Sequence, residues 1–376
     1  MAEPFKNQIN ADLVRQAAAQ LVPHAPSFDA KAFVRLATRG LDALELKART
    51  LHLCAALQET MPRDFGTAAA AFEAALAAPT APGSEAPPGL QGGLRGWILW
   101  PVGEYIARQG QDQPDRALAA LHALTQRFTA EFAIRPFIIN HPALSLATLG
   151  RWVADDSHHV RRLVSEGSRP RLPWGLQLRA LIADPSPTLP LLRALQDDPS
   201  DYVRRSVANH LNDIAKDHPA LVAQWLREHL PGATQERRAL LKHASRTLIK
   251  AGDLAVLKAW GLGAAFKGEA SLSVSPPRVT LGGEATLTVQ LRSSSKKPQR
   301  LAVDYAVHHV KAHGGSSAKV FKGWQLELPP LAEVTLVKRH PVKPITTRRY
   351  HAGRHGLAVQ VNGGVVAEAS FDLKLA

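Results

Sequence analysis

Two stretches of the chain, DDSHHVRRLVSEG (Asp155–Gly167) and DDPSDYVRRSVANH (Asp197–His210), repeat one pattern when one inserted residue is allowed. The Val-Arg-Arg triplet at 160–162 then matches the triplet at 203–205, an offset of 43 residues. Such an offset is typical of helical-pair repeats of the HEAT and armadillo kind, in which each unit buries its apolar face only against its neighbours. The repeat therefore predicts a helical solenoid in this part of the chain.

The helix predicted in the second stretch is amphipathic. Arg205, Asn209 and Asp213 are spaced four residues apart, so one face of the helix carries all three. The opposite face is apolar, and we expect it to be buried. That apolar face consists of Val203, Val207, Leu211 and Ile214. The polar face is then predicted to meet a ligand.

The hydrophobic pattern divides the chain into two parts. From Ala11 to about Ala265 it has the period of amphipathic helices, whereas after Gly268 apolar and polar residues alternate between Gly-Gly, Asn-Gly and Pro-Pro breaks. The alternating part predicts an immunoglobulin-like β-sandwich without a disulfide. The predicted fold is therefore mainly α: a right-handed α-solenoid of HEAT-like helical repeats over residues 1–265, followed by an all-β immunoglobulin-like sandwich over residues 266–376.

Composition limits the compartment and the partners. The chain has 376 residues and a net charge of +14, which attracts polyanions such as nucleic acid, although ribosome-associated and membrane-surface proteins are equally basic. Cys54 is the only cysteine, so an internal disulfide is excluded and a reducing cytoplasm is favoured. No membrane span or secretory signal is visible, and we expect a cytoplasmic monomer. The Pro- and Gly-rich segment 78–93 predicts a mobile surface loop.

Positive charge is densest in the predicted sandwich. Residues 268–376 hold 15 Lys or Arg against 7 Asp or Glu, a surplus of +8, compared with +6 for the rest of the chain. The run TTRRYHAGRH (Thr346–His355) contains Arg348, Arg349 and Arg354, and a turn inside the run would project them together. We interpret the run as a loop that contacts phosphates of DNA. The alternative is a solvated loop that keeps the domain soluble.

Three separated motifs resemble one known family. They are EFAIRPFI (Glu131–Ile138), RWVADDSHHVRRLVSEGSRPRLPW (Arg151–Trp174) and SVANHLNDIAKDHP (Ser206–Pro219). They resemble the AlkC branch of the HEAT-repeat DNA glycosylases, relatives of the AlkD enzymes, and some AlkC proteins carry a C-terminal immunoglobulin-like domain. The resemblance implies a bacterial base-excision repair enzyme that removes cationic N-alkylated bases, such as 3-methyladenine and 3-methylcytosine, from duplex DNA. It also implies that the damaged nucleotide is not flipped into a pocket, in contrast to most glycosylases.

The chemistry that this resemblance implies depends on acids. An alkylated base already carries positive charge, so the bond to the sugar breaks without strong protonation, and carboxylates stabilise the oxocarbenium-like deoxyribose and orient a water. The candidate catalytic residues are Glu131, Glu166 and Asp213, with Trp174 placed to lie against the cationic base. The alternatives are exposed ion pairs for the acids and a buried position between repeats for the tryptophan.

Two further pairs have helical spacing. Trp100 and Glu104 are four residues apart, the spacing at which AlkD-type enzymes present an aromatic residue and an acid, and Pro101 suits the first turn of a helix. We treat this pair as a reserve catalytic candidate. Glu131 and Arg135 have the same spacing, which would allow them to pair on one helix face.

Basic residues near the acids have a separate predicted task, which is to contact the phosphates that flank the lesion. No motif for a metal, nucleotide or acyl-transfer site occurs in the sequence, so neither a metal nor another cofactor is expected. The alternative function is a non-catalytic repeat protein that binds damaged or bent DNA, or a protein partner. The predicted DNA-contacting residues of the helical part are Arg135, Arg161, Arg162, Arg169, Arg171, Arg204, Arg205 and Asn209.

Overall fold

The computed structural model of the protein describes residues 4–79, 89–262, 264–345 and 348–375. Most of the predicted Pro- and Gly-rich loop, residues 80–88, lies outside these ranges. The described residues form a long helical part followed by β-strands, in the order that the hydrophobic pattern predicts.

Helices begin where a side chain or a proline suits the first turn. Asn10, for example, accepts a hydrogen bond from Leu13 N at 2.9 Å and so caps the helix that follows it. The α-helices are α1 Ala11–Leu21, α2 Ala30–Thr38, α3 Leu46–Thr60, α4 Phe65–Ala75, α5 Leu99–Gln109, α6 Pro114–Thr125, α7 Arg135–Asn140, α8 Pro142–Trp152, α9 His158–Gly167, α10 Arg179–Ala183, α11 Leu189–Leu195, α12 Asp201–Ile214, α13 Pro219–His229, α14 Gln235–Ala244, α15 Arg246–Ala251 and α16 Leu254–Ala259.

Helices α9 and α12 occupy equivalent positions in the repeat. Arg161 Nη1 donates to the carbonyl oxygens of residues 155–156 at 2.8 and 2.9 Å, and Arg204 Nη1 donates to those of residues 198–199 at 2.6 and 2.8 Å. Arg161 also forms two hydrogen bonds with the Asp198 carboxylate, at 2.6 and 3.1 Å, which tie one repeat to the next. The repeat that was read from the sequence is therefore a repeat of the structure.

The two repeat helices bury their apolar faces. Val160 of α9 has no exposed surface, and neither has Val203 of α12. Burial of each such side chain contributes about 1.5–3 kcal/mol. The predicted apolar face of α12 is buried along its whole length, at Val203, Val207, Leu211 and Ile214.

From Gly268 onward the chain forms two sheets, one with strand order β1-β3-β6 and one with order β2-β8-β7-β4-β5. The strands are β1 Gly268–Ser275, β2 Arg278–Thr280, β3 Glu284–Ser293, β4 Gln299–Val310, β5 Ser316–Leu328, β6 Glu333–Pro341, β7 Gly353–Val361 and β8 Gly364–Lys374. Alternate residues of β3, such as Leu287 and Val289, are buried in one core with Val303 and Val359 of the other sheet. The predicted β-sandwich is confirmed.

Contacts divide the chain into two compact units, Met1–Asp217 and His218–Ala376. The second unit contains helices α13–α16 together with the strands, whereas the sequence predicts a domain limit at 265/266. The change from helix to strand does fall near the predicted limit, but it lies inside a compact unit. The boundary between the compact units, at 217/218, therefore differs from the change from helix to strand between Ala259 and Gly268.

Helix α15 packs against the β7–β8 turn in this second unit. The backbones of Gly252 and Gly363 approach so closely that a Cβ atom on Gly252 would lie 2.7 Å from Gly363 Cα. In the same turn, Asn362 Nδ2 donates to Ala264 O at 2.7 Å and Asn362 Oδ1 accepts from Ala302 N at 2.9 Å. These contacts explain why the last helices belong with the strands.

Candidate active site

Three elements position the predicted acids, all of them in the unit Met1–Asp217. Glu131 lies in the turn that precedes α7, Glu166 in the last turn of α9, and Asp213 in the last turn of α12. Because α9 and α12 are equivalent helices of successive repeats and pack together, their last turns bring the second and third acids close to each other.

Arg162 joins the first two acids. Its Nη1 donates to Glu131 Oε2 and to Thr129 Oγ1, the latter at 2.8 Å, and its Nη2 lies 3.6 Å from Glu166 Oε1. Thr129 Oγ1 donates to the same Glu131 oxygen at 2.7 Å. The guanidinium of Arg162 also lies over the ring of Tyr202, 5.1 Å from its centroid. These contacts fix the orientation of both Arg162 and Glu131.

Arg169 joins the second and third acids. Its Nη1 donates to Glu166 Oε1 at 2.6 Å and its Nε donates to Asp213 Oδ2 at 2.9 Å. Lys216 Nζ donates to the other Asp213 oxygen at 3.0 Å. The result is a chain of alternating charges, which we call the carboxylate network: Glu131, Arg162, Glu166, Arg169, Asp213 and Lys216.

The carboxylate network is largely buried. The side chains of Glu131, Glu166 and Asp213 are 12, 8 and 3 % exposed. Burial alone would lower the pKa values of Arg162 and Arg169, but the neighbouring carboxylates outweigh burial and raise both. Buried charges are tolerated only when they are paired and hydrogen-bonded. The alternation of positively and negatively charged side chains therefore allows three acids to converge inside the protein.

The burial corrects one prediction about α12. The sequence places Arg205, Asn209 and Asp213 on one polar face that meets a ligand, but only Arg205 has an exposed side chain, at 70 %. Asn209 is half-buried and Asp213 is buried. The face changes from solvent to interior along the helix because Asp213 is bound by Arg169, which comes from the preceding repeat.

Hydroxyl groups and a histidine give Glu166 further support that the sequence reasoning missed. Ser206 Oγ donates to Glu166 Oε2 at 2.7 Å and lies 2.6 Å from Ser165 Oγ. His210 Nδ1 donates to Ser165 O at 2.9 Å, and burial lowers the pKa of His210 to about 4, so its ring is neutral at pH 7. The signal was available, because Ser206, His210 and Asp213 recur at the spacing of one helix face.

Trp174 lies on the loop after α9, five residues beyond Arg169, and is 73 % exposed. Its φ angle of 64° is left-handed, a conformation that costs an L-residue about 1–2 kcal/mol. The alternative that Trp174 is buried between repeats is wrong. An exposed ring on a strained backbone adds little to packing, so its position calls for a functional explanation.

Arg135 requires a correction. It is fully buried, and it bonds to the loop that carries Trp174 instead of pairing with Glu131. Its Nε donates to Leu176 O at 2.5 Å and its Nη1 to Gly167 O at 2.9 Å. Burial, and then the charge of Arg169, lowers the pKa of Arg135 to about 10, which leaves it charged at neutral pH. Arg135 is therefore not available to a phosphate, and it fixes both ends of the loop.

Most other arginines predicted to contact phosphates are bound within the protein. Arg162 and Arg169 bind the acids, and Arg161 and Arg204 hold the turns before α9 and α12, as described above. Arg171 pairs with Asp217 at 2.8 Å, and its side chain is 31 % exposed. Arg205, which pairs with Asp201 at 2.8 Å, has the most exposed side chain of these arginines. Of the set predicted in the helical part, Arg171 and Arg205 offer the most surface to a ligand.

The reserve pair on α5 has separate partners. Trp100 stacks on Phe132, with ring centroids 5.1 Å apart, and Phe132 directly follows Glu131 in the chain. Glu104 pairs with Arg108 at 2.9 Å. Trp100 therefore contacts Phe132, the neighbour of Glu131 in the chain, whereas the Glu104 carboxylate is paired with Arg108 on α5 itself.

The arginine-rich run of the sandwich is only partly exposed. Arg349 and Arg354 are exposed, and Arg354 Nε donates to Ser370 Oγ at 2.8 Å, while Arg348 is half-buried. His355, the last residue of the run, is buried at 1 % exposure. Thr346 and Thr347 of the run lie outside the described residues.

The described part of the chain also bears on a metal site and on a membrane span. No group of three or more His, Cys, Asp or Glu side chains there is arranged to hold a metal ion. Every helix in those ranges is too short or too polar to cross a membrane.

These features define a class of protein in which stacked helical repeats hold a buried arginine-carboxylate network and an immunoglobulin-like sandwich follows. The family described as "Uncharacterised protein YhaZ, C-terminal Ig-like domain" matches residues 269–375. The Bacillus subtilis (strain 168) protein named "Uncharacterized protein YhaZ" is 34 % identical in an alignment of 375 residues that covers 98 % of this chain and 99 % of the relative.

A solved structure is similar over the same length. It is described as "Pseudomonas fluorescens alkylpurine DNA glycosylase AlkC bound to DNA containing an abasic site analog", with a TM-score of 0.88 and 34 % identity, and the match covers 99 % of this chain and 100 % of that one. The chain therefore belongs to the AlkC-type family with a C-terminal immunoglobulin-like domain, which is the family that the sequence motifs predict.

Proposed function

We propose that this protein is a DNA glycosylase of base-excision repair that hydrolyses the N-glycosidic bond of cationic N-alkylated bases in duplex DNA. The observation that carries the proposal is the convergence of Glu131, Glu166 and Asp213 in one carboxylate network next to the loop that exposes Trp174. Support comes from the full-length similarity to a protein described as an alkylpurine DNA glycosylase bound to DNA. The substrates proposed are 3-methyladenine and 3-methylcytosine.

The leaving base determines what the protein must supply. A base methylated at a ring nitrogen is already cationic, so it departs as a neutral molecule and needs no strong acid. Positive charge then develops on the deoxyribose, and fixed carboxylates stabilise it without having to reorganise. The arginines and hydroxyls that hold Glu166 and Asp213 supply that rigidity.

Glu131 is the acid best suited to position the attacking water. Its Oε2 accepts the bonds from Thr129 and Arg162, which leaves Oε1 without a described protein partner. Its side chain is also the most exposed of the three, at 12 %. A water bound to Oε1 would face C1′ of the sugar, with the carboxylate accepting its proton. Glu166 and Asp213 then stabilise charge from deeper positions.

Trp174 is proposed to lie against the cationic base or the exposed sugar. An indole ring attracts a cation with about 0.5–2 kcal/mol. Because the carboxylates act on the sugar, the base does not have to enter an enclosed pocket, and the proposal therefore includes action without base flipping. The acids, the tryptophan and the water complete the chemistry, so no cofactor is proposed, and the partner is duplex DNA that contains an alkylated base.

The test is release of free methylated base from alkylated duplex DNA under single-turnover conditions. Glu131→Gln, Glu166→Gln and Asp213→Asn should each slow release by roughly a hundredfold or more, as is usual when a preorganised charge is removed from an active site. Binding to a duplex with an abasic-site analogue should persist. The matched control is Glu73→Gln, which breaks a different Arg-Glu pair of the same unit (Arg116 Nη1 to Glu73 Oε1, 2.6 Å) and should leave release unchanged.

Two outcomes would contradict the proposal. Release at the parental rate by all three variants would remove the carboxylates from the mechanism. Absence of release by the parent from every alkylated duplex, with DNA binding intact, would favour the alternative of a non-catalytic DNA-binding protein. Glu104→Gln tests the reserve acid in the same assay and should behave like the control.

A further inference from the structure

Helices α14 and α15 carry a stripe of cations that the sequence reasoning did not use. Arg238, Lys242, Arg246 and Lys250 follow one another at intervals of four residues. In helical backbone each interval advances about 6 Å, so the stripe extends over roughly 18 Å. The two helices are separated only by Ser245, and the stripe lies within the unit His218–Ala376.

The stripe forms one wall of an elongated depression. Two adjoining cavities, of about 470 and 450 Å³, share Lys242 and Gln325 in their linings. The stripe residues line one or both cavities, and the opposite wall comes from β4 and β5, including Arg300 and Lys322. We call this depression the cationic trough.

Positive charge in the cationic trough is only partly neutralised. Its lining has six Lys or Arg side chains against two acids. One acid, Glu327, lies 3.8 Å from Arg300. The other, Asp304, is half-buried, accepts a hydrogen bond from Gly323 N at 3.0 Å, and has its pKa raised by burial. Lys242 Nζ donates to the neutral Gln325 Oε1 at 3.1 Å, and the charges of Lys322 and Lys250 act on the Asp304 carboxylate. All three lysines are exposed, and the surplus of cations over acids leaves the trough positive toward an anion from outside.

Aromatic rings complete the trough. Trp260 lines one cavity and Trp324 the other, and the guanidinium of Arg238 lies 5.7 Å from the centroid of the Trp260 ring. Cations that follow a line, interleaved with aromatic faces, are the elements with which proteins hold a nucleic acid backbone. A compact single anion would need cations that converge on one point, whereas these are spread along the trough.

We propose that the cationic trough binds successive phosphates of the DNA backbone. The inference rests on the proposed function for its choice of DNA. Such a contact is independent of sequence and positions the duplex without taking part in the chemistry. It should therefore contribute to affinity for undamaged and damaged duplexes alike.

The test compares two triple variants of the full chain. Lys242→Ala/Lys250→Ala/Lys322→Ala removes three exposed lysines from the trough. The control, Lys296→Ala/Lys297→Ala/Lys374→Ala, removes three exposed lysines from elsewhere in the same unit, with the same change of charge. The measurement is affinity for an undamaged duplex at several salt concentrations.

Each phosphate contact contributes about 0.9 to the slope of log affinity against log salt. The trough variant should lose roughly 2 to 3 from that slope and on the order of tenfold or more in affinity at low salt. The control should stay within about threefold of the parent. A third variant, Lys242→Arg/Lys250→Arg/Lys322→Arg, keeps the charge and should restore binding.

Equal slopes and affinities for the trough variant and the control would overturn the proposal. So would loss of affinity that the arginine variant fails to restore, because the defect would then be structural. The proposed glycosylase activity can fail separately, since this test uses undamaged DNA and no chemistry. If the trough variant shows unchanged base release and an unchanged salt slope, the proposed role of the trough is contradicted and the proposed glycosylase activity still stands.

Discussion

The carboxylate network and the cationic trough both combine basic with acidic side chains, but they use the basic ones in opposite ways. In the network, Arg162 and Arg169 have side chains that are 14 and 9 % exposed, and both are bound by acids. In the trough, Lys242 and Lys250 are exposed and the acids are outnumbered. The three acids and three cations of the network cancel, whereas the six cations and two acids of the trough leave a positive surplus that can attract a polyanion.

This difference shows what decides the role of a cation. A buried guanidinium must be paired, so its charge is neutralised by a carboxylate inside the protein. Its effect is then to orient that acid. An exposed ammonium is solvated and screened, so its contribution to folding is small and its effect is on association. Removing a cation should therefore change stability in the network and affinity in the trough.

The largest effect on stability is expected at Arg169. Arg169→Met leaves Glu166 and Asp213 buried without their shared partner, and loss of one member of a buried ion pair costs about 3–5 kcal/mol. Lys242→Met in the trough should change the free energy of unfolding by no more than about 0.5 kcal/mol. Urea denaturation followed by circular dichroism measures both.

A double variant identifies the cause. If unpaired charge is the reason, Arg169→Met combined with Asp213→Leu should be more stable than Arg169→Met alone, because one of the stranded carboxylates is gone. Similar small losses for Arg169→Met and Lys242→Met would mean that the network contributes no more to folding than surface charge does.

Buried histidines make the second unit sensitive to acid. Burial, followed by the charge of Arg348, lowers the pKa of His309 to about 3, and burial, followed by the charge of Lys319, lowers that of His340 to about 4. Both values lie below the ordinary 6.5, so below pH 6.5 the unfolded chain binds protons that the folded chain does not. The stability is fully present above pH 6.5 and is lost as the pH falls toward 4.

At pH 5 each of these histidines should cost about 2 kcal/mol relative to pH 7. His309→Leu should remove one such contribution, so the variant should lose less stability between pH 7 and pH 5 than the parent does. His313→Leu, at an exposed position, serves as the control. Equal losses for the parent and His309→Leu, measured by urea denaturation at the two pH values, would exclude His309 as a source of the acid response.

Local patterns in the sequence predicted much of this molecule. The 43-residue repeat predicted the stacked helices, and period-two alternation predicted the sandwich, because both patterns follow from which face of an element is buried. The motifs also selected Glu131, Glu166 and Asp213, and these do converge in one network. The repeat and the alternation were sufficient to predict the fold, whereas the choice of these acids rested on the resemblance to the AlkC branch.

Partners on distant segments were not predictable in the same way. Arg135 bonds to carbonyls of Gly167 and Leu176, more than 30 residues away, and nothing in its own helix indicates them. The cationic trough needs β4 and β5 opposite α14 and α15, so only one of its walls could be read from the sequence. Burial also depends on the fold, and several arginines predicted to contact phosphates are interior and bound by acids or carbonyl groups.

Substitution of Trp174 is expected to have the smallest effect on base release, and it tests whether the carboxylate network acts together with an exposed aromatic ring. Trp174→Gly removes the left-handed strain and little buried surface, so the free energy of unfolding should rise by about 1 kcal/mol. Base release should nevertheless fall by roughly tenfold, because a contact worth about 1.4 kcal/mol to the cationic base is lost. Trp174→Asn controls for backbone freedom, since asparagine tolerates the left-handed region and should show a similar loss of roughly tenfold in base release. A glycine variant that is more stable and equally active would show that the exposed ring has no part in catalysis, and the carboxylate network would then have to act without an aromatic partner at this position.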